Sequence, residues 1–262
     1  IRRPPRSTQG VSSAASDVYK RQDLEAISKA VHSISPEAFI IVDGVQYAAH
    51  GGITIDQYNI DGYAISPYKM YSRHGYGLAW VSDRLTKMNH EQLFDGPSEN
   101  WELGTRDTGS YATISNVVQY LEWLGEKIEN TESRSVKLYN AAKAIAAQET
   151  ALTDLMINGE DNIKGLKDLS GVEIIGGLKN PNRSGLVSFR INGTSSHLLV
   201  DFLNDKGIRT HVRKADHYSG NILDPLGWED CVRVSVCHYN SSEEIKSLLL
   251  ALNEFQLDAV TN

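Results

Sequence analysis

The chain has 262 residues, of which 40% are hydrophobic and 23% are charged, an ordinary globular composition with enough apolar material for a core. Its formal net charge of −7 argues against a nucleic-acid-binding domain, which needs a basic surface. No apolar run reaches the length of a membrane span. The two cysteines form neither a disulfide framework nor a zinc-binding pair. Sparse cysteine use fits a reducing compartment, so we expect a soluble, cytoplasmic protein.

Residues 1–22 differ from everything that follows them. They are rich in Ser, Arg, Pro and Gln and show neither a helical nor a strand period. A basic, serine-rich start is one feature of transit peptides, but this string resembles translated sequencing-adapter sequence more closely. We therefore set it aside from the fold. If it is an adapter, the natural protein continues upstream and this chain is a C-terminal fragment.

Residues 23–130 are predicted to form part of an α/β sheet domain. A helix is expected from Asp23 to Ser35, where Pro36 stops it. The continuous apolar run 39–42 is typical of a parallel strand buried on both faces. Further strands are expected over 62–65 and 77–81, with a connection between them too short for a crossover helix. A helix over 109–128 completes this region.

Residues 131–262 are predicted to form a long connecting helix followed by a small α/β domain. The helix should run over 133–156 and end at Asn158-Gly159. Ser241-Ser-Glu-Glu244 is typical of a capped helix start. The other predicted elements are a strand over 186–191, a helix over 195–206 closed by Gly207, and strands over 208–212 and 231–236.

Three residues in the first region carry the chemistry. Asp43 stands at the carboxyl end of one predicted strand, and Ser66 and Lys69 stand just past the end of the next. Open α/β sheets bind ligands in the crevice beyond these ends. Pyridoxal-phosphate (PLP) chemistry needs a lysine amine and an acid that faces the pyridine nitrogen. Singly, each residue is commonly a solvated charge or a turn residue, so the inference depends on the combination.

That combination resembles a known family. Val42-Asp-Gly-Val-Gln46, Ser66-Pro-Tyr-Lys69 and Gly75-Tyr-Gly77 resemble the VDG-A-Q, S-G-H-K and T-G-x-G segments of the class V aminotransferase and cysteine desulfurase family. The resemblance covers essentially all of residues 23–255. It implies a fragment of the fold-type I, PLP-dependent transferase fold: part of the large, mainly parallel sheet domain plus a small C-terminal α/β domain.

The resemblance also assigns roles around the cofactor, pyridoxal 5'-phosphate. It implies that Asp43 pairs with the pyridinium nitrogen, that Gln46 hydrogen-bonds the phenolic oxygen and that Ser66 binds the phosphate. Lys69 would form the Schiff base. Tyr68 stands where the family has histidine, and its hydroxyl can still donate to the phosphate.

Two more segments resemble the family. Trp101-Glu-Leu-Gly-Thr105 is similar to its E-x-G-T segment, which implies a homodimer in which Thr105 reaches the phosphate bound by the neighbouring subunit. A glycine-containing turn before the next helix is the alternative. Val232-Arg-Val-Ser to Asn240 is similar to R-x-S-x-x-x-Y-N, which implies that Arg233 grips the carboxylate of the substrate with its planar fork.

The loop that follows Ile208 resembles the V-R-x-G-H-H-C loop of cysteine desulfurases. Counting from Arg213 places Tyr218 where the nucleophilic cysteine would stand. His217 keeps the histidine of the family, as a polar substrate-binding residue or as a surface residue. Cys231 and Cys237 are expected on the following strand, as small buried hydrophobes.

Three functions follow from these observations. The first is a PLP-dependent enzyme of the class V aminotransferase type that acts on a small amino-acid substrate, with transamination, elimination and epimerisation all open. The second is a cysteine desulfurase or selenocysteine lyase with a displaced nucleophile, against which Tyr218 argues. The third is a non-catalytic structural paralogue, against which Lys69 and Asp43 argue. We expect the fragment alone to be inactive and to bind PLP weakly or not at all. A metal site of His211, His217 and His238 matches no zinc spacing.

Overall fold

A computed structural model describes residues 22–97, 100–105 and 107–261, with side chains to residue 257. The segment 1–22 that we set aside therefore lies, except for Gln22, outside the described residues. The chain divides into two compact units. The first holds the described residues up to Ala151 together with Cys237–Asn240, and the second holds Leu152–Val236 and the residues from Ser241 onward.

The first unit begins with helix α1, Leu24–Ile34, which confirms the predicted helix. The carboxylate of Asp23 caps it by accepting a hydrogen bond from the backbone N–H of Ala26 at 3.0 Å. Its sheet has the order β1-β2-β3, with strands Ile41–Asp43, Gly62–Ile65 and Leu78–Val81.

The three strands of this sheet do not all run the same way. β1 lies parallel to β2, and β3 runs antiparallel to β2 on its other side. Only the 3-10 helix Pro67–Met70 lies between β2 and β3, so the chain reverses direction without a crossover. The expectation that the first strand is buried on both faces is wrong. Ile41 is 66% exposed, because little of the described chain packs over its side chain on that face of the sheet.

A buried carboxylate holds the start of this sheet together. Asp61, 4% exposed, accepts hydrogen bonds from the backbone N–H of Ile40 at 3.0 Å and from the hydroxyl of Ser82 at 3.0 Å. Arg84 donates to the same carboxylate from Nη2 at 2.6 Å and from Nε at 2.9 Å. These bonds, chiefly those from Arg84, lower the pKa of Asp61. The clamp joins the entry to β1, the entry to β2 and helix α2, Asp83–Thr86.

Two long helices follow. Helix α3 spans Thr108–Ile128, close to its predicted bounds, and is capped by Asp107. Helix α4 spans Arg134–Asn158 and ends where predicted, with Gly159 in the left-handed region at a φ of 73°. A Cβ on Gly125 would collide with the carbonyl of Lys137, so the glycine allows α3 and α4 to approach closely.

The second unit contains a four-stranded antiparallel sheet whose strands lie in the order Val172–Ile174, Leu186–Ile191, Asp230–Ser235 and His211–Lys214. The longer helices pack on one face, and Leu223 of a short helix packs with Cys231 on the other. Phe189 and Val232 from the first of these faces are fully buried against Leu203 and Leu249 of the longer helices. The elements of this unit are the hairpin β4 (Gly159–Glu160) and β5 (Ile163–Lys164), β6 (Val172–Ile174), β7 (Leu186–Ile191), α5 (Ser196–Asp205), β8 (His211–Lys214), α6 (Gly220–Leu223), β9 (Asp230–Ser235) and α7 (Ser242–Thr261).

One predicted strand is displaced. The sequence placed it over 208–212, whereas β8 spans His211–Lys214. The backbone N–H of Ile208 donates to the carbonyl of Leu203 at 2.8 Å, just past Gly207, which has a φ of 77°. Ile208 therefore belongs to the C-terminal cap of α5, and its apolar side chain packs on the core from there.

The last helix begins as its sequence predicts. The N–H of Glu244 donates to the hydroxyl of Ser241 at 3.2 Å, and the N–H of Ser241 donates to the Glu244 carboxylate at 2.8 Å. This reciprocal pair is a capping box and confirms the predicted start of α7. Within the described ranges, the structure has no helix both long and apolar enough to cross a membrane.

Candidate active site

The predicted cofactor residues of the first unit gather at one edge of its sheet. Asp43 is the last residue of β1, and Ser66 follows the last residue of β2. Because the two strands are parallel, with Asp43 opposite Ala64, both carboxyl ends meet at the same edge. Lys69 lies on the 3-10 helix Pro67–Met70, where its backbone N–H donates to the carbonyl of Ser66 at 3.0 Å.

The turn after β1 explains why glycine follows the acid. The N–H of Gly44 donates to the carbonyl of Ala64 at 2.9 Å, which holds Gly44 against β2. A Cβ at Gly44 would collide with the ring of buried Tyr63. The Asp43 carboxylate accepts a hydrogen bond from the N–H of Val45 at 3.1 Å and remains exposed at the edge. Glycine thus lets the chain turn while the acid faces outward.

A tyrosine that the sequence analysis missed connects the segments of Gln46 and Lys69. Gln46 is half-buried and precedes the 3-10 helix Tyr47–Ala49. The hydroxyl of Tyr71 donates to the carbonyl of Ala49 at 2.9 Å, and Tyr71 stands two residues past Lys69. Its φ of 66° is left-handed, an unusual conformation for a bulky residue. No local sequence signal marks such a position, because glycine is the residue expected there.

Tyr71 also belongs to a series of hydrogen-bonded side chains that ends at the carbonyl of Ala49. Nδ1 of His238 lies 3.3 Å from its hydroxyl, and Nε2 of His238 lies 2.6 Å from the hydroxyl of Tyr120. Tyr71 uses its proton on Ala49, so we assign the Nδ1–H as donor to Tyr71 and the Tyr120 hydroxyl as donor to Nε2. Burial lowers the pKa of His238, in agreement with a neutral ring. Burial also raises the pKa of Tyr71.

A second histidine of this unit has a buried acidic partner. Nδ1 of His50 lies 2.8 and 2.9 Å from the two oxygens of Glu149, whose side chain is 1% exposed. The two residues are 99 positions apart in the chain. No periodicity links residues so distant, so no pattern in the sequence predicts the pair.

Tyr68 and Thr105 are both exposed in the first unit. The ring of Tyr68 lies 4.8 Å from the ring of His74, and the Lys69 ammonium lies 5.8 Å from the Tyr68 ring centroid. Thr105 precedes the N-terminal cap of α3, and its proposed contact across a subunit boundary stays a prediction.

The predicted substrate residues lie in the second unit. Arg233 is half-buried on β9, opposite Ser188 of β7 and His211 of β8. Burial lowers the pKa of Arg233, and the nearby charge of Arg213 lowers it further. His217 is exposed in the turn after β8, with its ring centroid 3.9 Å from that of Tyr218. Their contacts with substrate stay predictions.

Neither thiol has the environment of a reactive cysteine. Cys231 lies on β9 as predicted, is fully buried, and burial raises its pKa to about 11. The placement of Cys237 on the same strand is wrong, because β9 ends at Ser235. Burial also raises the pKa of Cys237. Both side chains therefore remain protonated thiols at neutral pH, whereas the nucleophile in thiol chemistry is the thiolate. Tyr218 is 57% exposed.

The groups at the carboxyl edge fit PLP by their chemistry. An acid at the end of β1 suits a protonated ring nitrogen, and a hydroxyl and an amine past the end of β2 suit a phosphate and an aldehyde. No group of three or more His, Cys, Asp or Glu side chains able to hold a metal occurs in the part of the chain that the structure describes.

The chain is similar to known proteins along most of its length. A probable cysteine desulfurase of Xylella fastidiosa is 29% identical over 227 residues, which cover 81% of this chain and 48% of the relative. The chain thus spans about half the length of the curated relatives it matches.

Two solved structures share the fold. The apo cysteine desulfurase of Thermococcus onnurineus NA1 superimposes with a TM-score of 0.67 at 22% identity, covering 88% of this chain and 56% of that one. A mutant of C-DES with glycine covalently linked to its PLP cofactor has a TM-score of 0.58 at 19% identity, covering 82% and 51%. These similarities confirm the predicted α/β fold of PLP-dependent enzymes.

The family model "Aminotransferase class-V" matches residues 18–248, most of the chain. Its match begins inside the segment 1–22, at residue 18. The family indicates pyridoxal 5'-phosphate as the cofactor, as the resemblance of the motifs implied. The chain therefore belongs to the class V aminotransferase family.

Proposed function

We propose that this chain is the part of a PLP-dependent enzyme that carries the cofactor lysine, and that the enzyme acts on a small amino acid. The observation that supports the proposal is the position of Asp43 at the carboxyl end of β1 and of Lys69 on the 3-10 helix that follows the carboxyl end of its parallel neighbour β2. An acid and an amine at this edge are the two groups that PLP chemistry needs from its protein.

Each residue at the edge has a defined task in this proposal. PLP, when bound, supplies a ring that accepts electron density from the α-carbon of the substrate. Asp43 keeps a proton on the ring nitrogen through its negative charge. Gln46 donates to the phenolic oxygen, and Ser66 and Tyr68 donate to the phosphate. The amine of Lys69 anchors the cofactor and, when released, carries a proton to or from the α-carbon.

Other residues are proposed to bind the substrate and to reach the cofactor of the partner subunit. Arg233 pairs its guanidinium with the α-carboxylate, because a planar fork matches two oxygens. His217 is proposed as a polar substrate-binding residue. The protein is proposed to be a homodimer in which Thr105 serves the phosphate of the neighbouring site, and to work in the cytoplasm.

Two reaction classes compete. Desulfuration is favoured by the name of the Xylella relative, and it needs a thiolate that attacks the substrate sulfur. Tyr218 replaces that cysteine, and burial raises the pKa of both Cys231 and Cys237. We therefore propose an aminotransferase-type reaction at the α-carbon, with cysteine desulfuration as the alternative.

The decisive experiment locates the cofactor. Protein from the longest reading frame that contains this chain is incubated with PLP, reduced with borohydride, digested and analysed by mass spectrometry. The pyridoxyl group should be found on Lys69. Lys69→Ala should abolish both this adduct and the visible absorbance band, whereas Lys87→Ala, at an exposed lysine of the same unit, should keep both. An adduct on another lysine with the band intact in Lys69→Ala would refute the assignment.

A further inference from the structure

The segment that carries Lys69 ends in a backbone conformation that its sequence does not favour. Lys69 lies on the 3-10 helix Pro67–Met70, and Tyr71 caps this helix with a φ of 66° and a ψ of 8°. This left-handed region is unfavourable for residues that have a Cβ, whereas glycine occupies it readily. A bulky residue stays there only where its surroundings hold it, and such positions cluster at functional sites. The contacts of the Tyr71 side chain therefore have to offset the strain of its backbone.

The hydroxyl of Tyr71 makes the first of these contacts. It donates to the carbonyl of Ala49 at 2.9 Å, in the 3-10 helix that follows Gln46. Burial raises the pKa of Tyr71, so the hydroxyl keeps the proton that it donates at neutral pH. This hydrogen bond joins the segment that follows β2 to the segment that follows β1.

The ring of Tyr71 makes further contacts. It meets the ring of His238 edge to face, with centroids 5.2 Å apart and planes at 77°, and the ring of Tyr120 at 6.5 Å and 79°. Aromatic rings favour such edge-to-face arrangements. Nδ1 of His238 also lies 3.3 Å from the Tyr71 hydroxyl, so both the ring and the hydroxyl are fixed. All of these residues belong to the first compact unit.

Ser72 adds a second anchor directly after Tyr71. Its Oγ lies 2.6 Å from Oγ1 of Thr113 on α3. Its backbone N–H donates to the carbonyl of Pro67 at 3.1 Å, the same carbonyl that accepts from the N–H of Tyr71. The backbone just past Lys69 is thus fixed to α3 through Ser72 and to the segment after β1 through Tyr71.

We infer that Tyr71 is a positioning residue for Lys69, because its hydroxyl fixes the 3-10 helix that carries the lysine against the segment of Gln46. The inference rests on the proposed function, in which Lys69 and Gln46 act on the same cofactor. An amine on a fixed segment binds PLP with a smaller loss of conformational freedom than an amine on a loose one. Tyr71 acts through Lys69 and is assigned no contact with the cofactor.

Hydrogen exchange in the cofactor-free protein from the longest reading frame tests the anchor. Tyr71→Phe keeps the ring and removes the hydroxyl. Amide exchange in peptides that cover residues 67–72 should therefore accelerate about threefold to tenfold, the value of one neutral hydrogen bond. Tyr139→Phe, at a tyrosine of α4 that is 58% exposed, is the control and should leave this exchange unchanged. Unchanged exchange in Tyr71→Phe, or equal acceleration throughout the protein, overturns the inference.

PLP binding distinguishes a role through Lys69 from a general structural role. The dissociation constant of PLP, measured by equilibrium dialysis, should rise about threefold to tenfold in Tyr71→Phe. When Tyr71→Phe is added to Lys69→Ala, the constant should not rise further, because no lysine remains to be positioned. Equal rises in both backgrounds, or a rise in neither, contradict the inference.

The proposed function can fail separately from this inference. If borohydride reduction places the pyridoxyl group on a lysine other than Lys69, the cofactor assignment is wrong, even where hydrogen exchange shows the Tyr71 anchor. If the group is on Lys69 and Tyr71→Phe leaves the nearby exchange unchanged, the proposed function stands and the positioning role of Tyr71 is refuted.

Discussion

The hydroxyl of Tyr120 lies 2.6 Å from Nε2 of His238, and this contact orders a chain that ends at the carbonyl of Ala49. While His238 is neutral, each proton in this series of hydrogen bonds has an acceptor. A second ring proton would meet the hydroxyl of Tyr120 donor to donor and force it to turn away. Tyr71, a member of this series, stands two residues past Lys69. A change in the charge of His238 is therefore expected to affect how firmly the segment around Lys69 is held.

The protein should lose stability between pH 7.5 and pH 5.5 because of His238. Its folded pKa is lowered, so the unfolded state binds more protons and stability falls as pH drops below the ordinary histidine value of about 6.5. Melting temperatures measured across this range should fall less steeply for His238→Gln than for the natural protein. Equal slopes would show that the ring is not held neutral. His90→Gln, at a half-buried histidine of the same unit, is the control.

Asp61→Asn should destabilise the first unit. Arg84 then loses a charged acceptor, and hydrogen bonds to a charged group contribute about 1.5–3 kcal/mol each. We expect a loss of about 2–3 kcal/mol in the free energy of unfolding, measured with urea, against less than about 0.5 kcal/mol for the exposed Asp56→Asn. The lowered pKa adds a pH signature: this contribution should fade only as pH falls below about 4. Similar losses of unfolding free energy in Asp61→Asn and Asp56→Asn would show that the hydrogen bonds of Asp61 do not stabilise the sheet.

Gly44→Ala should damage both stability and cofactor retention. The added methyl group collides with the Tyr63 ring, and forcing a group into a packed site costs about 1–3 kcal/mol. Adding Tyr63→Leu should restore part of the stability by clearing the space. Gly52→Ala, whose Cβ would make an ordinary 3.5 Å contact with Ala142, should change little. Thermal melting and bound PLP per chain provide the two measurements. An unchanged melting temperature and unchanged PLP content in Gly44→Ala would show that Gly44 and the Tyr63 ring are not in close contact.

Asp43→Asn should lower turnover far more than cofactor content. Removal of the charge lets the ring nitrogen lose its proton, which weakens the electron sink while phosphate binding continues. Bound PLP is measured after denaturation, and turnover with the best amino acid found by screening. Parallel losses of both quantities would point instead to a structural role for Asp43 in the turn.

Cysteine should release no appreciable sulfide in the presence of this protein. The residue at the expected nucleophile position is Tyr218, and burial raises the pKa of Cys231 to about 11. Sulfide is measured colorimetrically with cysteine as substrate. Release that is lost in Cys231→Ala or Cys237→Ala would establish desulfuration by a displaced thiol.

Local signals in the sequence predicted local structure well. Asp23 caps α1 and Ser241 pairs with Glu244 at the start of α7, because caps depend on residues three apart. The strand Gly62–Ile65 has its predicted bounds. The sequence also predicted that Asp43 and Lys69 lie at the same edge of the sheet, because each follows or ends a strand and the carboxyl ends of parallel strands lie at one edge.

Long-range relationships were outside the reach of these signals. Tyr71 and His238 are 167 positions apart, and neither lies in a pattern that pairs them. The exposure of Ile41 depends on what packs over that face of the sheet, and an apolar run does not specify what covers it. Ile208 has strand propensity, but its backbone N–H donates to the carbonyl of Leu203 in the C-terminal cap of α5 instead of to a neighbouring strand.

The two-faced sheet of the second unit has a consequence for how the protein tolerates insertions and deletions. In β9, Val232 faces the core and Arg233 faces the opposite side. Removing a single residue from this strand would exchange the two, burying a guanidinium among leucines and turning a valine toward the charged side. Such a chain would be degraded as misfolded before it could act as an altered enzyme. Changes in chain length are therefore expected in the connecting loops rather than within this strand.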